Sequence, residues 1–129
     1  MATVMGFDLE TTGLNVSSAC PIEMACVLYD TDSKRILNSL NVPLDWSQVL
    51  PTFNVPPATT EIHHLDNRLV GSFGVHPLGA FDDFFRLAGF ADYICGHNVI
   101  AYDREVLRYS LMRAAREKYA EEYQSRFNN

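Results

Sequence analysis

The sequence lacks the features of membrane-spanning, secreted and strongly basic proteins. No apolar run approaches the roughly 20 residues that a membrane-spanning helix requires. No positively charged segment followed by an apolar stretch is present near the start, so we predict no signal peptide. The net charge of −6 argues against broad electrostatic attraction to nucleic acid.

Cysteine is scarce and is not spaced for a metal site. The three cysteines, Cys20, Cys26 and Cys95, are odd in number and too scattered for a zinc-ligand pattern. Reduced thiols in a cytoplasmic protein explain this usage most simply, because disulfides persist mainly in oxidising compartments. We therefore predict a cytoplasmic protein with no membrane partner.

The composition favours one compact domain. The chain has 129 residues, of which 47% are hydrophobic and 12% aromatic, so it can build a core of its own. The charge is uneven along the chain, since six of the ten Lys and Arg residues follow Asp103. Basic character near the C-terminus thus coexists with an acidic chain.

Two carboxylates follow a short apolar run near the N-terminus. Residues 2–8 are predicted as a strand, in which side chains at i and i+2 point to the same face. Asp8 and Glu10 should therefore project together, while Leu9 points to the other face. Paired carboxylates repel each other unless a cation lies between them, and their oxygen atoms suit Mg²⁺ or Mn²⁺. An Asp-x-Glu pair alone is equally consistent with two solvated acids at a strand end.

The remaining pattern predicts a mixed α/β domain. Strands are expected at 22–29 and 35–42, forming an antiparallel meander with the first strand, and at 91–95, where the strand should be short and buried. A proline-rich loop covers 43–57, and a short helix with a threonine cap is expected near 58–65. Longer helices are predicted at Pro77–Ala88 and at about 99–123.

The last helix places an acid on its apolar side. The residues that share this helical stripe are Asp103, Leu107, Ser110, Leu111 and Ala114. A carboxylate on the inward face of a helix is costly without a partner. Its position favours either metal ligation or hydrogen bonding for Asp103.

Two segments resemble the DEDD-type 3′–5′ exonucleases, the proofreading group with a ribonuclease H-like fold. Phe-Asp-Leu-Glu-Thr-Thr-Gly-Leu, at 7–14, resembles the first motif of that family. Cys-Gly-His-Asn-Val-Ile-Ala-Tyr-Asp, at 95–103, resembles the second. The resemblance implies a mixed sheet of three antiparallel strands and one parallel strand with flanking helices. By this resemblance, residues 1–129 form a single exonuclease-like domain.

The resemblance also implies roles for individual residues. Asp8, Glu10 and Asp103 would be catalytic and would hold two Mg²⁺ or Mn²⁺ ions for phosphodiester hydrolysis. The residues implied at the substrate are Thr11, Thr12, Leu14, His63, His97, Asn98 and Tyr102. For His63, two partly exposed histidines on a short helix are an equally good interpretation. His97 and Asn98 are otherwise usually structural, orienting the turn between strand and helix.

The third motif of the family, with an Asp and a His or Tyr that activates water, has no counterpart here. No Asp and no His follows Asp103, and a closing strand and helix are also not evident. We therefore expect a C-terminally incomplete domain. The chain is a fragment of a longer exonuclease, or is completed by another chain or a second copy, or is a degenerate member that binds without cutting.

The expected function is 3′–5′ exonucleolytic hydrolysis of DNA or RNA by a two-metal mechanism, weak or absent in this chain alone. The expected partner is a single-stranded 3′ end, with a polymerase or a complementing chain as further possibilities. The alternative is a non-catalytic module that binds nucleic acid or protein, which the acidic charge and the phenylalanine-rich helix at Pro77–Ala88 also suit.

Overall fold

The computed structural model describes residues 2–50, 52–96 and 102–114. In this part of the chain, four strands form one sheet in the order β3-β2-β1-β4. The strands are β1 (Thr3–Thr11), β2 (Pro21–Asp30), β3 (Arg35–Pro43) and β4 (Tyr93–Cys95). β1, β2 and β3 are antiparallel neighbours, whereas β4 runs parallel to β1. The predicted mixed α/β sheet of three antiparallel strands and one parallel strand is thus confirmed.

The helices of the described residues are α1 (Pro57–His63), α2 (Asn67–Phe73), α3 (Pro77–Ala88) and α4 (Arg104–Ala114). α3 has the predicted bounds, because its apolar positions recur with helical spacing and His76 caps its first turn through Leu78 N. A single 3-10 turn at Trp46–Gln48 lies in the predicted proline-rich loop. The predicted helix at 99–123 is observed as α4, which follows a π turn at 102–103; positions 99–101 and 115–123 lie outside the described residues.

The core lies between one face of the sheet and α3 and α4. Alternate residues of β1, including Met5, Phe7 and Leu9, are buried there. The Phe7 and Phe84 rings meet edge to face with their centroids 5.2 Å apart. Buried side chains of α4, including Leu107, join the same cluster. The amphipathic faces of both helices therefore account for the buried side of the sheet.

Two sequence predictions about local structure were wrong, and one helix was not predicted. β4 is not buried, since Tyr93 and Cys95 are exposed at the edge of the described sheet. α1 has no threonine cap; Pro56 occupies that position without a side-chain hydrogen bond. α2 was not predicted, although Asp66 caps it by accepting a hydrogen bond from Leu69 N. No helix in the described ranges is long and apolar enough to cross a membrane.

Candidate active site

β1 carries Asp8 and Glu10 on the face of the sheet opposite the core. Asp8 is exposed and Glu10 is partly exposed, whereas Leu9 between them is 6% exposed and packs in the core. The alternation predicted from the sequence is confirmed, because the strand continues through both acids to Thr11. Both carboxylates therefore project from the same side of the sheet.

The ladder between β1 and β2 brings a further acid to this face. Glu23 is the register partner of Glu10, while Ala25 is the partner of Asp8. The sequence analysis did not include Glu23 among the site residues. The signal that could have found it is the hairpin register, which fixes the residue opposite each acid once the length of the connecting loop is known.

The carboxylates of this face repel each other. The pKa of Glu10 is raised, chiefly by burial and then by the negative charges of Asp8 and Glu23, while His63 acts in the opposite sense. A carboxylate that resists ionisation because of like charges is stabilised when a cation arrives. The donor set of Asp8 and Glu10 therefore fits a hard divalent cation such as Mg²⁺ or Mn²⁺.

The start of α4 lies against the end of β1. The hydroxyl of Tyr102 lies 2.6 Å from Thr11 Oγ1 and donates a hydrogen bond of 2.5 Å to Gly13 O. Thr12 Oγ1 accepts a hydrogen bond from Cys20 N at 2.9 Å. The hydroxyls of all three residues thus already have partners within the chain, and their predicted contacts with a nucleotide stay predictions.

Asp103 directly follows Tyr102, whose hydroxyl contacts Thr11 and Gly13 at the end of β1. Asp103 lies in the π turn that leads into α4 and is 4% exposed; it is buried like Leu107, Ser110 and Leu111 of the predicted helical stripe. Among the residues that the structure describes, no three His, Cys, Asp or Glu side chains are close enough to hold a metal ion. The convergence of Asp8, Glu10 and Asp103 on shared ions therefore stays a prediction.

Two other predicted substrate residues have informative surroundings. Leu14 is 93% exposed in the loop that follows β1. His63 ends α1, and its Nδ1 accepts a hydrogen bond from Leu65 N at 3.1 Å. His63 Nε2 is shielded from solvent and has no hydrogen-bond partner within the described ranges. The predicted residues His97 and Asn98 lie outside the described residues.

A shallow groove extends from Asp8 across the face of the sheet opposite the core. Its volume is about 570 Å³. Small and apolar side chains predominate among the lining residues, which include Gly6, Asp8, Ala25, Val27, Ser39 and Cys95. The side chain of Asp8 therefore borders an open concave surface.

Comparisons with known proteins find similarity at the level of structure. No protein-family model matches the sequence, and no curated protein matches it. Among solved structures, E. coli exonuclease I in complex with a dA16 oligonucleotide matches with a TM-score of 0.75 and 17% identity, over 88% of this chain and 24% of that one. The zinc-bound form of the E. coli exonuclease I–ssDNA complex matches equally well, with a TM-score of 0.75 and 17% identity over 88% and 24% of the two chains.

A moderately thermophilic exonuclease I from Methylocaldum szegediense matches with a TM-score of 0.74 and 17% identity, over 86% of this chain and 23% of that one. The chain thus spans about a quarter of the length of the exonuclease I chains that it matches. The shared fold is the ribonuclease H-like mixed sheet with flanking helices.

Proposed function

We propose that this chain is part of a metal-dependent 3′–5′ exonuclease that acts on the 3′ end of single-stranded DNA or RNA. The observation that carries the proposal is the pair of repelling carboxylates, Asp8 and Glu10, beside the strand end that Tyr102 contacts just before α4. The similarity of the fold to exonuclease I supports the same class of activity.

In this proposal Asp8, Glu10 and Asp103 hold Mg²⁺ or Mn²⁺. When bound, such ions neutralise charge on the phosphate and lower the pKa of a bound water. Burial, and then the charges of Asp8 and Glu23, raise the pKa of Glu10, so a bound cation would favour its ionised form. The loop after β1 would contact the terminal nucleotide through Leu14, whose exposed side chain offers apolar surface to a base.

The general base is the part of the mechanism that this chain does not evidently supply. No His and no Asp follows Asp103 in the sequence. A positioned general base contributes about 10²- to 10⁴-fold to a rate. We therefore propose that residues 1–129 alone hydrolyse phosphodiesters weakly or not at all.

A metal titration tests the site directly. Melting temperature is measured against Mn²⁺, Mg²⁺ and Zn²⁺ for the wild-type protein and for Asp8→Asn, Glu10→Gln and Asp103→Asn. Saturation to about 100 times the dissociation constant should stabilise the wild type by about 2.7 kcal/mol, because only the folded state binds. Each variant should lose most of this increase. Asp82→Asn, which removes an exposed acid on α3, is the matched control. Identical responses of wild type and Asp8→Asn would refute the site.

A nuclease assay tests the chemistry. A 3′-terminated single-stranded oligonucleotide is incubated with the chain alone and with a fusion that adds a strand and a helix carrying a His and an Asp. Only the fusion should trim the 3′ end rapidly, and Asp8→Ala, Glu10→Ala or Asp103→Ala should abolish the trimming. Rapid trimming by the chain alone, at a rate proportional to protein concentration, would show that the base is already present.

A second candidate is a module that binds nucleic acid or protein without cleavage. The observation that favours it is the lack of a three-ligand metal group in the described part of the chain. Oligonucleotide binding that needs no divalent ion, with no metal-dependent stabilisation, would select this function. Nothing in the structure or in the comparisons supports a polymerase partner.

A further inference from the structure

The loop between β1 and β2, residues 12–20, is held at one end by Tyr102, just before α4, and at the other end by Arg113 of α4. At its first end, the Tyr102 hydroxyl donates to Gly13 O at 2.5 Å. At its second end, the guanidinium of Arg113 donates to Ala19 O at 2.6 Å and also to Ser17 O. The turn before α4 and α4 itself thus hold the two ends of a loop that leaves the sheet beside the carboxylates.

The two shortest contacts of Arg113 are with main-chain carbonyls, and its contact with Ala19 O is partly buried. Ser110, which is fully buried, donates from Oγ to the same Ala19 carbonyl at 3.3 Å, and Arg113 lies 3.4 Å from Ser110 Oγ. Arg113 also lies 3.6 Å from Cys20 Sγ. The planar guanidinium presents several donors in a fixed arrangement, which suits the two carbonyls of Ser17 and Ala19 better than a lysine does.

Hydrogen bonds within the loop complete its fixation. Thr12 N donates to Cys20 O at 3.1 Å, and Cys20 N donates to Thr12 Oγ1 at 2.9 Å, so the two ends of the loop are tied together. Asn15 O accepts from Ser18 N and Ala19 N. The exposed Leu14 therefore extends from a segment whose backbone is held on both sides.

We propose that Arg113 is a positioning residue, which holds the β1–β2 loop so that Leu14 is presented to a base of the bound strand. This inference rests on the proposed function for the identity of the ligand. It assigns Arg113 to the loop carbonyls and not to a phosphate, although Arg113 is one of the six cations that follow Asp103. The binding free energy then depends on the fraction of molecules in which the loop is already in place.

Hydrogen exchange tests the positioning without any ligand. Amide exchange by mass spectrometry is compared for wild type, Arg113→Met, Arg113→Lys and Arg86→Met. Arg86 is the matched control, because it is an exposed arginine on α3 whose ion pair is with Asp83. Exchange in residues 12–20 should accelerate in Arg113→Met, less in Arg113→Lys, and not in Arg86→Met. Exchange in β2 and β3 should be unchanged in all four proteins. Unchanged loop exchange in Arg113→Met would overturn the proposal.

Binding of a fluorescein-labelled oligothymidylate tests what the loop presents. Arg113→Met should weaken binding by roughly fivefold, as expected if most molecules lose the binding-competent loop. Leu14→Ala should weaken binding by a similar factor, and the double variant should be no weaker than either single variant. Such non-additivity indicates that both residues act through the same contact.

The salt dependence of binding separates positioning from a direct phosphate contact. Loss of a phosphate contact would reduce the slope of log affinity against log salt concentration by about 1, whereas loss of positioning leaves the slope unchanged. A reduced slope in Arg113→Met, or additive effects with Leu14→Ala, would overturn the proposal. If the wild type binds no oligothymidylate, the proposed function and the role of Leu14 both fail. The exchange result then still decides whether Arg113 holds the loop.

Discussion

Glu10 and Glu23 lie directly opposite each other on β1 and β2, with Asp8 two residues away on the same face. Like charges in this cross-strand position destabilise a sheet. The arrangement is tolerated next to an acid that we propose to be a metal ligand. Such repulsion between like charges, which lowers the stability of the sheet, is more common at functional sites than elsewhere in a protein.

Glu10→Gln should stabilise the metal-free protein at neutral pH. The pKa of Glu10 in the folded state is raised above its ordinary value of 4.5, so the folded state loses stability as pH rises through the raised pKa. The variant should melt at a higher temperature than wild type at pH 7, and the difference should vanish below about pH 4.5, where the carboxyl is protonated in both states. Melting curves of both proteins from below pH 4.5 to pH 7 measure this difference in melting temperature. A difference independent of pH would point to packing instead.

Gly74→Ala should destabilise the junction between α2 and the isolated bridge of Leu44 with Val75. A Cβ at Gly74 would lie 2.3 Å from Val70 O and 2.9 Å from the backbone nitrogen of Asp45, neither of which can move freely. We expect a loss of about 1–3 kcal/mol in the free energy of unfolding, measured by denaturant titration. Gly71→Ala, where a Cβ meets nothing within 4 Å, is the control and should be neutral or stabilising.

Trp46→Phe should cost about 1–3 kcal/mol, since it leaves a buried carbonyl without its donor. Trp46 is fully buried and its Nε1 donates to Pro21 O at 2.6 Å, at the start of β2. Circular dichroism is the suitable measurement, because Trp46 is the only tryptophan of the chain. Tyr93→Phe removes a hydroxyl from a residue that is 66% exposed and should have little effect. Equal losses in the two variants would contradict the role of the Pro21 contact.

One thiol of the native protein should react much faster than the other two. All three cysteines are free, but Cys20 and Cys26 are buried and only Cys95 is exposed. Burial also raises the pKa of the Cys20 and Cys26 thiols, which reduces the nucleophilic thiolate fraction. DTNB should therefore titrate one thiol rapidly in the folded state and three in denaturant. Cys95→Ser should eliminate the rapid reaction; if it remains, one of the buried cysteines is accessible.

The sequence was sufficient for those parts of the fold that periodicity encodes. The bounds of α3 could be predicted because its apolar positions repeat with helical spacing and Gly89 follows it. α2 could not be predicted by the same means, since among its seven residues only Val70 is buried and no apolar stripe develops. β4 was predicted as buried because its composition is apolar, but composition does not report whether another element covers a strand.

For the candidate site too, the sequence predicts some features and not others. The shared face of Asp8 and Glu10 follows from strand geometry alone, whereas the proximity of Glu23 and His63 depends on register and on tertiary packing. The contacts of Arg113 with the β1–β2 loop join residues more than ninety positions apart. No local pattern encodes such contacts, and the sequence indicated only that Arg113 belongs to a group of cations.

The parallel pairing of β4 with β1 also bears on the order in which the molecule folds. The meander of β1, β2 and β3 joins neighbouring strands, whereas the hydrogen bond from Thr3 N to Asp92 spans 89 positions. Long-range parallel pairing forms slowly, because the closure entropy of the intervening chain must be overcome first. We therefore expect the meander to form early, and with it the sheet face that carries Asp8, Glu10 and Glu23. α4 would then dock in a late step, after the carboxylates of β1 are in place.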